Sequence, residues 1–133
     1  MFNRYKDAAM CYAYLNDVTS DAMSTFAKSR WLTRGWTLQE LLAPKDVQFY
    51  SKDWKYIGSK TSRGEAISFA TGIPSQILAD VDNIWSTSIA CRMSWAANRN
   101  TTRVEDAAYC LLGIFGVNMP LLYGEGEKAF LRL

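Results

Sequence analysis

The sequence predicts an α/β fold: a parallel sheet of two to three strands followed by a helical C-terminal half. Three observations carry this. Met10-Cys-Tyr-Ala-Tyr-Leu15 is an almost continuous apolar run, the pattern of a strand buried on both faces. A short helix over 34–42 comes next, and Asp46-Val-Gln-Phe-Tyr50 then places Val47 and Phe49 on one side of a second strand. Strand, helix and strand at this spacing form a βαβ unit. Further on, Val104, Ala107, Ala108, Leu111, Leu112 and Phe115 follow the i, i+3, i+4, i+7, i+8, i+11 rule, which predicts one unbroken core-facing helix.

In chain order, Phe2 to Ala9 is the end of a helix, and 16–29 is a polar connection containing Asp17, Thr19, Ser20 and Asp21. Leu38, Leu41 and Leu42 mark the buried face of the helix at 34–42, and Pro44 stops it. Glu40 lies roughly 200° from Leu38 and Leu42 at about 100° per residue. It is therefore off the core face and one turn from Trp36, either on open surface or on one wall of a pocket. A third short strand, Trp54-Lys-Tyr-Ile57, ends at Gly58. A helix over 61–70 has Ala66, Ile67, Phe69 and Ala70 as its apolar part; Gly72 ends it and Pro74 opens a short turn to Leu78. A loop at 79–83 leads to a helix at 88–97. The long apolar stripe starts from a capping box of Thr102 and Glu105 and ends at Gly113 and Gly116. Residues 120–126 form a turn, and a last helix starts at Glu127.

Composition narrows the chemistry. The chain is one domain long, and with 49% hydrophobic residues it can bury a core. The absence of histidine excludes Ser–His and Cys–His nucleophile pairs and histidine metal sites. Cys11, Cys91 and Cys110 are odd in number and contain no CxxC pair, so three buried free thiols are expected and no metal site. A net charge of only +2 supports neither a nucleic-acid footprint nor a polybasic membrane patch. No apolar run approaches the roughly 18 residues of a membrane span, and the polar N-terminus is no signal peptide, so the cytoplasm is the expected setting.

Two blocks carry a resemblance. Arg34-Gly-Trp-Thr-Leu-Gln-Glu-Leu-Leu-Ala-Pro44, and a longer block from Arg92-Met-Ser-Trp-Ala-Ala-Asn-Arg-Asn-Thr-Thr-Arg-Val-Glu-Asp-Ala-Ala-Tyr-Cys-Leu-Leu-Gly to Pro120-Leu-Leu-Tyr-Gly-Glu-Gly-Glu127, resemble signatures of fungal heterokaryon-incompatibility (HET) domains. The likeness runs through nearly the whole chain. It implies that 1–133 is a single HET domain lacking the usual N-terminal strands, as the small sheet also suggests: two or three strands with one crossover make a poor sheet alone. HET domains occur in proteins that trigger cell death when genetically different hyphae fuse, often beside nucleotide-binding and repeat regions. The family is also remotely similar to Toll/interleukin-1-receptor (TIR) domains, implying a partial flavodoxin-like sheet. The local match is Trp36-Thr-Leu-Gln-Glu-Leu41, which is similar to the TIR pattern Trp-Cys-Leu-x-Glu-Leu. In NAD-cleaving TIR domains the Glu of that pattern is the catalytic carboxylate; by position it is Glu40.

The resemblance implies NAD as a substrate and no resident cofactor. Cleavage of a nicotinamide–ribose bond passes through an oxocarbenium-like state, which one preorganised carboxylate stabilises. Glu40 is the candidate catalytic residue, placed at the carboxyl end of the parallel sheet. Trp36 is a candidate aromatic wall of the substrate site, and Arg34 either holds a phosphate or pairs with a surface acid. Arg92, Trp95 and Arg99 form an Arg–aromatic packing motif, while Arg103, Glu105 and Asp106 serve as caps and surface pairs. Tyr123-Gly-Glu-Gly126 lacks the spacing of a phosphate loop and is a turn. Two function classes follow: a death-inducing effector with TIR-like NAD cleavage, or a non-catalytic module that signals by self-association with its own kind or with other HET or nucleotide-binding signalling proteins.

Overall fold

The computed structural model describes residues 2–8, 10–19 and 22–133. The expected extension of the first helix to Ala9, and Ser20 and Asp21 of the polar connection, lie outside the described residues. The chain opens with α1 (Phe2–Asp7) and enters β1 (Cys11–Tyr14). α2 (Met23–Ala27) and a 3-10 turn (Arg30–Thr33) lead to α3 (Thr37–Leu42), after which β2 (Val47–Tyr50) and β3 (Tyr56–Ser59) complete the sheet. β1 and β2 are parallel, in register from Cys11 opposite Val47 to Tyr14 opposite Tyr50. β3 adds to the other side of β2 and runs antiparallel. The class is α/β, and the sheet is mixed: residues 51–55 are far too few for a parallel crossover.

β1 is buried on one face, not two. Ala13 is 4% exposed, whereas Tyr12 on the opposite face is 68% exposed. The apolar run misleads because its tyrosines are amphipathic rings that tolerate water. They pack on one another across the outer face: Tyr14 stacks on Trp54 at 4.3 Å, and Tyr50 lies 5.9 Å from both Tyr12 and Tyr56. The inner face, Ala13, Val47, Phe49 and Ile57, joins Leu38, Leu41 and Leu42 of α3 in one core cluster. Phe26 of α2 meets Phe49 edge-on at 5.0 Å. The expected polar connection thus contains a helix, anchored by the buried Phe26 without any periodic stripe to announce it.

α4 (Gly64–Thr71) ends at Gly72 with φ of 75°, as its glycine predicts. Only Ala66 and Ile67 of α4 are buried; Phe69 is 89% exposed, because it sits about 200° round the helix from Ile67. α5 (Ser75–Ala79) and a 3-10 helix (Val81–Ser86) precede α6 (Ile89–Ala96), whose first turn is capped by the Ser88 hydroxyl accepting from the Cys91 N–H at 3.1 Å.

The predicted unbroken helix across 102–115 is not formed. It is divided into α7 (Asp106–Tyr109) and α8 (Leu112–Phe115), and Val104 is 57% exposed. The Thr102–Glu105 box gives way to a tertiary contact. Glu105 Oε1 accepts from the N–H groups of Gly124 and Gly126 at 2.8 and 3.2 Å, and Asp106 accepts from the Tyr123 hydroxyl at 2.7 Å. Both acids are buried and are not the surface pairs expected of them. Glu125 closes the same clasp, accepting from the Tyr109 hydroxyl and from Arg132 of α9 (Lys128–Arg132) at 2.6 Å. Two positive-φ glycines, Gly124 and Gly126, let the turn aim its amides at Glu105.

The clasp makes the C-terminal turn acid-sensitive. Hydrogen bonds from its own backbone N–H and those of Gly124 and Gly126 hold Glu105 below its usual pKa, and Arg132 followed by Tyr109 does the same for Glu125. A depressed folded-state pKa contributes stability above the unfolded value of 4.5, and that contribution is lost as pH falls. The protection of the Gly124 and Gly126 amides, measured by NMR hydrogen exchange relative to their intrinsic rates, is expected to fall below pH 4.5 before that of core amides such as Leu41. In the core, Leu41→Ala is expected to cost about 2–5 kcal/mol in chemical denaturation, since Leu41 is fully buried.

Candidate functional site

The candidate site is built on α3, and tertiary contacts decide how α3 presents its residues. Thr37, Leu38, Gln39, Leu41 and Leu42 are buried, leaving Glu40 half-buried as the helix's way out of the core. Polar contacts with other segments fix the helix. The Thr37 hydroxyl donates to the carbonyls of Arg34, at 2.9 Å, and Trp31. Arg99 donates to the Arg34 carbonyl at 2.8 Å and to the Thr37 hydroxyl at 3.1 Å. Gln39 donates to the Cys110 carbonyl at 2.6 Å. Lys60, 3% exposed, donates to the Leu42 and Pro44 carbonyls at 3.2 and 2.9 Å. Its burial pulls the amine down to about 8. Gly35, which a Cβ would drive into the Thr101 methyl, lets the start of α3 approach that strand-like segment closely.

Glu40 accepts a hydrogen bond from the Tyr5 hydroxyl of α1 at 3.2 Å. Burial raises its pKa, and the Tyr5 hydrogen bond and the charge of Arg34 offset only part of that rise. The carboxylate borders a cavity of about 260 Å³ whose walls include Tyr5, Cys11, Trp31 and Val47. That volume lies just under the roughly 300–1,000 Å³ of small-molecule pockets and suits one ring or one sugar. Cys11 and Val47 begin β1 and β2, so the cavity lies at the amino ends of the parallel pair, not the carboxyl ends. The reason is topological: α3 runs back from the end of β1 to the start of β2, and Glu40 is in its later half.

The expected site residues are separated. Trp36 borders a different cavity, about 520 Å³ in volume, with Phe2, Gln39 and Trp85. The indole near Glu40 is Trp31 instead, held against Phe49 at 5.5 Å. Its turn begins at Ser29, whose hydroxyl accepts from the Trp31 N–H at 3.3 Å and donates to Asp17 at 2.8 Å. Arg34 is exposed and makes no ion pair among the described residues. Arg92 is the packing residue expected: it donates to the Ile114 carbonyl at 2.8 Å and lies over the rings of Trp85 and Phe115. All three cysteines are free; Cys110 is buried, whereas Cys11 and Cys91 are half-buried. Tyr5, Cys11 and Trp31 were not legible as site residues, because Tyr5 is 35 positions from Glu40 and no spacing rule links them.

Chemically, the arrangement offers one partly desolvated carboxylate, a phenol that orients it and an indole beside it. Such a group accepts hydrogen bonds from hydroxyls and stabilises positive charge that develops next to it. Because burial disfavours its charged form, the raised pKa makes Glu40 a burden on stability above the ordinary Glu value of 4.5, and that burden grows as pH rises through the folded-state pKa. Glu40→Gln, which keeps an acceptor for Tyr5, is therefore expected to raise the thermal midpoint at pH 7 and to leave it unchanged at pH 3, in paired melts.

The chain was compared with known proteins. No protein-family model matches it, and no solved structure matches it. It is 48% identical over 143 aligned residues to the vegetative incompatibility protein HET-E-1 of Podospora anserina, an alignment that takes in 100% of this chain. The chain spans about a tenth of the length of that curated relative. Along its whole length it is therefore similar to one stretch of a fungal vegetative incompatibility protein, which supports the link that the two sequence blocks imply.

Proposed function

We propose that this chain acts in fungal vegetative incompatibility, as an effector that triggers cell death on nonself recognition. The observation that carries this reading is the 48% identity to HET-E-1 along the entire chain. Within it, Glu40 is the catalytic carboxylate of a TIR-like cleavage of NAD. Water adds to the ribosyl carbon as the bond to nicotinamide breaks, and nicotinamide leaves with the bonding electron pair, giving ADP-ribose and a proton. Glu40 stabilises the oxocarbenium-like ribosyl centre and holds its hydroxyls. Its half-buried position, its hydrogen bond from Tyr5 and the neighbouring Trp31 support this role. Trp31 takes the aromatic part expected of Trp36, and Arg34, which is exposed, meets a phosphate outside the cavity.

A second reading rests on the outer face of the sheet. Tyr12, Trp54 and Tyr56 are 68%, 66% and 56% exposed there, and such aromatic surfaces are common in interfaces. On this reading the chain is a signalling module that works by self-association and needs no turnover.

Nicotinamide release from NAD, followed by chromatography, separates the two. The enzymatic reading expects release by the wild-type chain and a loss of roughly 100-fold or more in Glu40→Gln. No release by the wild type, together with loss of both sedimenting oligomers and fungal cell death in a Tyr12→Ser, Trp54→Ser variant, selects the assembly reading.

A further inference from the structure

The cavity of about 520 Å³ beside Trp36 has no part in the Glu40 reading. Its walls are largely aromatic and apolar, with Phe2, Trp36, Trp85, Leu112 and Met119 among them, and its volume suits a small molecule. α8 and its C-cap line it with two glycines three positions apart, Gly113 and Gly116. A Cβ at Gly113 would run into the Phe2 side chain at 2.5 Å, and one at Gly116 would meet the six-membered ring of Trp85 at 3.4 Å. The glycines therefore let both rings pack onto this segment and put no side chain of their own into the cavity.

Trp85 is 53% exposed, yet it is held in place. The Arg92 guanidinium lies over one face at 5.7 Å from the ring centroid, and the outer edge of the ring meets Gly116. An indole has two faces, and the exposure of Trp85 leaves the second open. A large ring that is exposed and already positioned suits stacking, because the ordering cost is met before a ligand arrives. Charge narrows the ligand further. Among the described residues the charged groups lining this cavity are Lys6 and Asp82, and they pair with each other at 2.7 Å. The site thus presents no net charge to hold a phosphate or a carboxylate, and Arg92, already on Trp85, disfavours a second cation there. Asn3 and Asn118 line the same space and are exposed. A primary amide offers both donor and acceptor, which matches the mixed edge of a heteroaromatic ring.

We propose that this cavity binds an uncharged planar heteroaromatic ring of the nucleobase kind, stacked on the open face of Trp85 beside Trp36, with its polar edge toward Asn3 and Asn118. The site uses neither Glu40 nor the cavity at Tyr5 and Trp31, so its failure leaves the NAD reading untouched. Titration of the nitrogen-15-labelled chain with adenosine and with ribose tests it, read by NMR at the five indole N–H signals. The expected result is saturable adenosine binding that shifts the Trp36 and Trp85 signals and leaves those of Trp31 and Trp54 in place, with ribose at least about tenfold weaker. Trp85→Ala is expected to weaken adenosine by about tenfold or more, as loss of one stacking platform does. Trp85→Phe, which keeps a ring, is expected to retain most of the affinity. If Trp85→Ala does not fold, the indole shifts and the adenosine–ribose comparison decide. No adenosine binding at millimolar concentration, equal binding of ribose, shifts centred on Trp31 or Trp54, or undiminished binding to a folded Trp85→Ala would overturn the proposal.

Discussion

The structure depends on how one short, buried helix has its polar groups satisfied. α3 has only six residues, and its backbone cannot close many of its own hydrogen bonds. A helix so short is not stable by itself in water, and burying it removes the solvent that would otherwise serve its ends. Contacts with other segments hold it: Arg99 donates to Thr37 near the start, Gln39 reaches the Cys110 carbonyl from the middle, and Lys60 serves the carbonyls at the end. The ammonium of Lys60 also sits where the helix dipole favours positive charge. Its burial is therefore compensated twice, by two carbonyl acceptors and by the helix end, which accounts for a lysine being kept in a nearly inaccessible position.

The same fixation explains the environment of Glu40. With Leu38, Leu41 and Leu42 pinned in the core, the helix has no rotational freedom, and Glu40 is held against α1 and the start of β1. The carboxylate does not choose between water and a partner; packing chooses for it. Its raised pKa is the electrostatic trace of that choice, because the Tyr5 hydrogen bond recovers only part of the lost hydration. Groups whose solvation is compromised by the fold are where chemistry tends to be found, although structural groups such as Lys60 are perturbed for other reasons.

How much of this was legible in the sequence differs by element. Periodicity located α3, β2 and the cap at Gly72, since each is written in residues a few positions apart. It also placed Glu40 off the core face. The stripe from Val104 to Phe115 failed because Glu105 and Asp106 prefer partners in the turn at 123–126, nearly 20 positions away, and that competition has no local signature. Likewise, helical spacing points to Trp36 as the wall for Glu40, whereas the cavity beside Glu40 is lined by Trp31. Only the direction in which the 3-10 turn at Arg30–Thr33 delivers its indole separates them.

The tethers on α3 have one more consequence, for the order of events during synthesis. A chain leaves the ribosome from its N-terminus, and the partners of Gln39 and Thr37 at Cys110 and Arg99 lie 71 and 62 positions downstream. While β1, α3 and β2 are already outside the exit tunnel, the acceptors and donors that complete them have not been made. The nascent α3 therefore waits unsealed, and it is translation of the segment from Arg99 to Cys110 that supplies its missing partners.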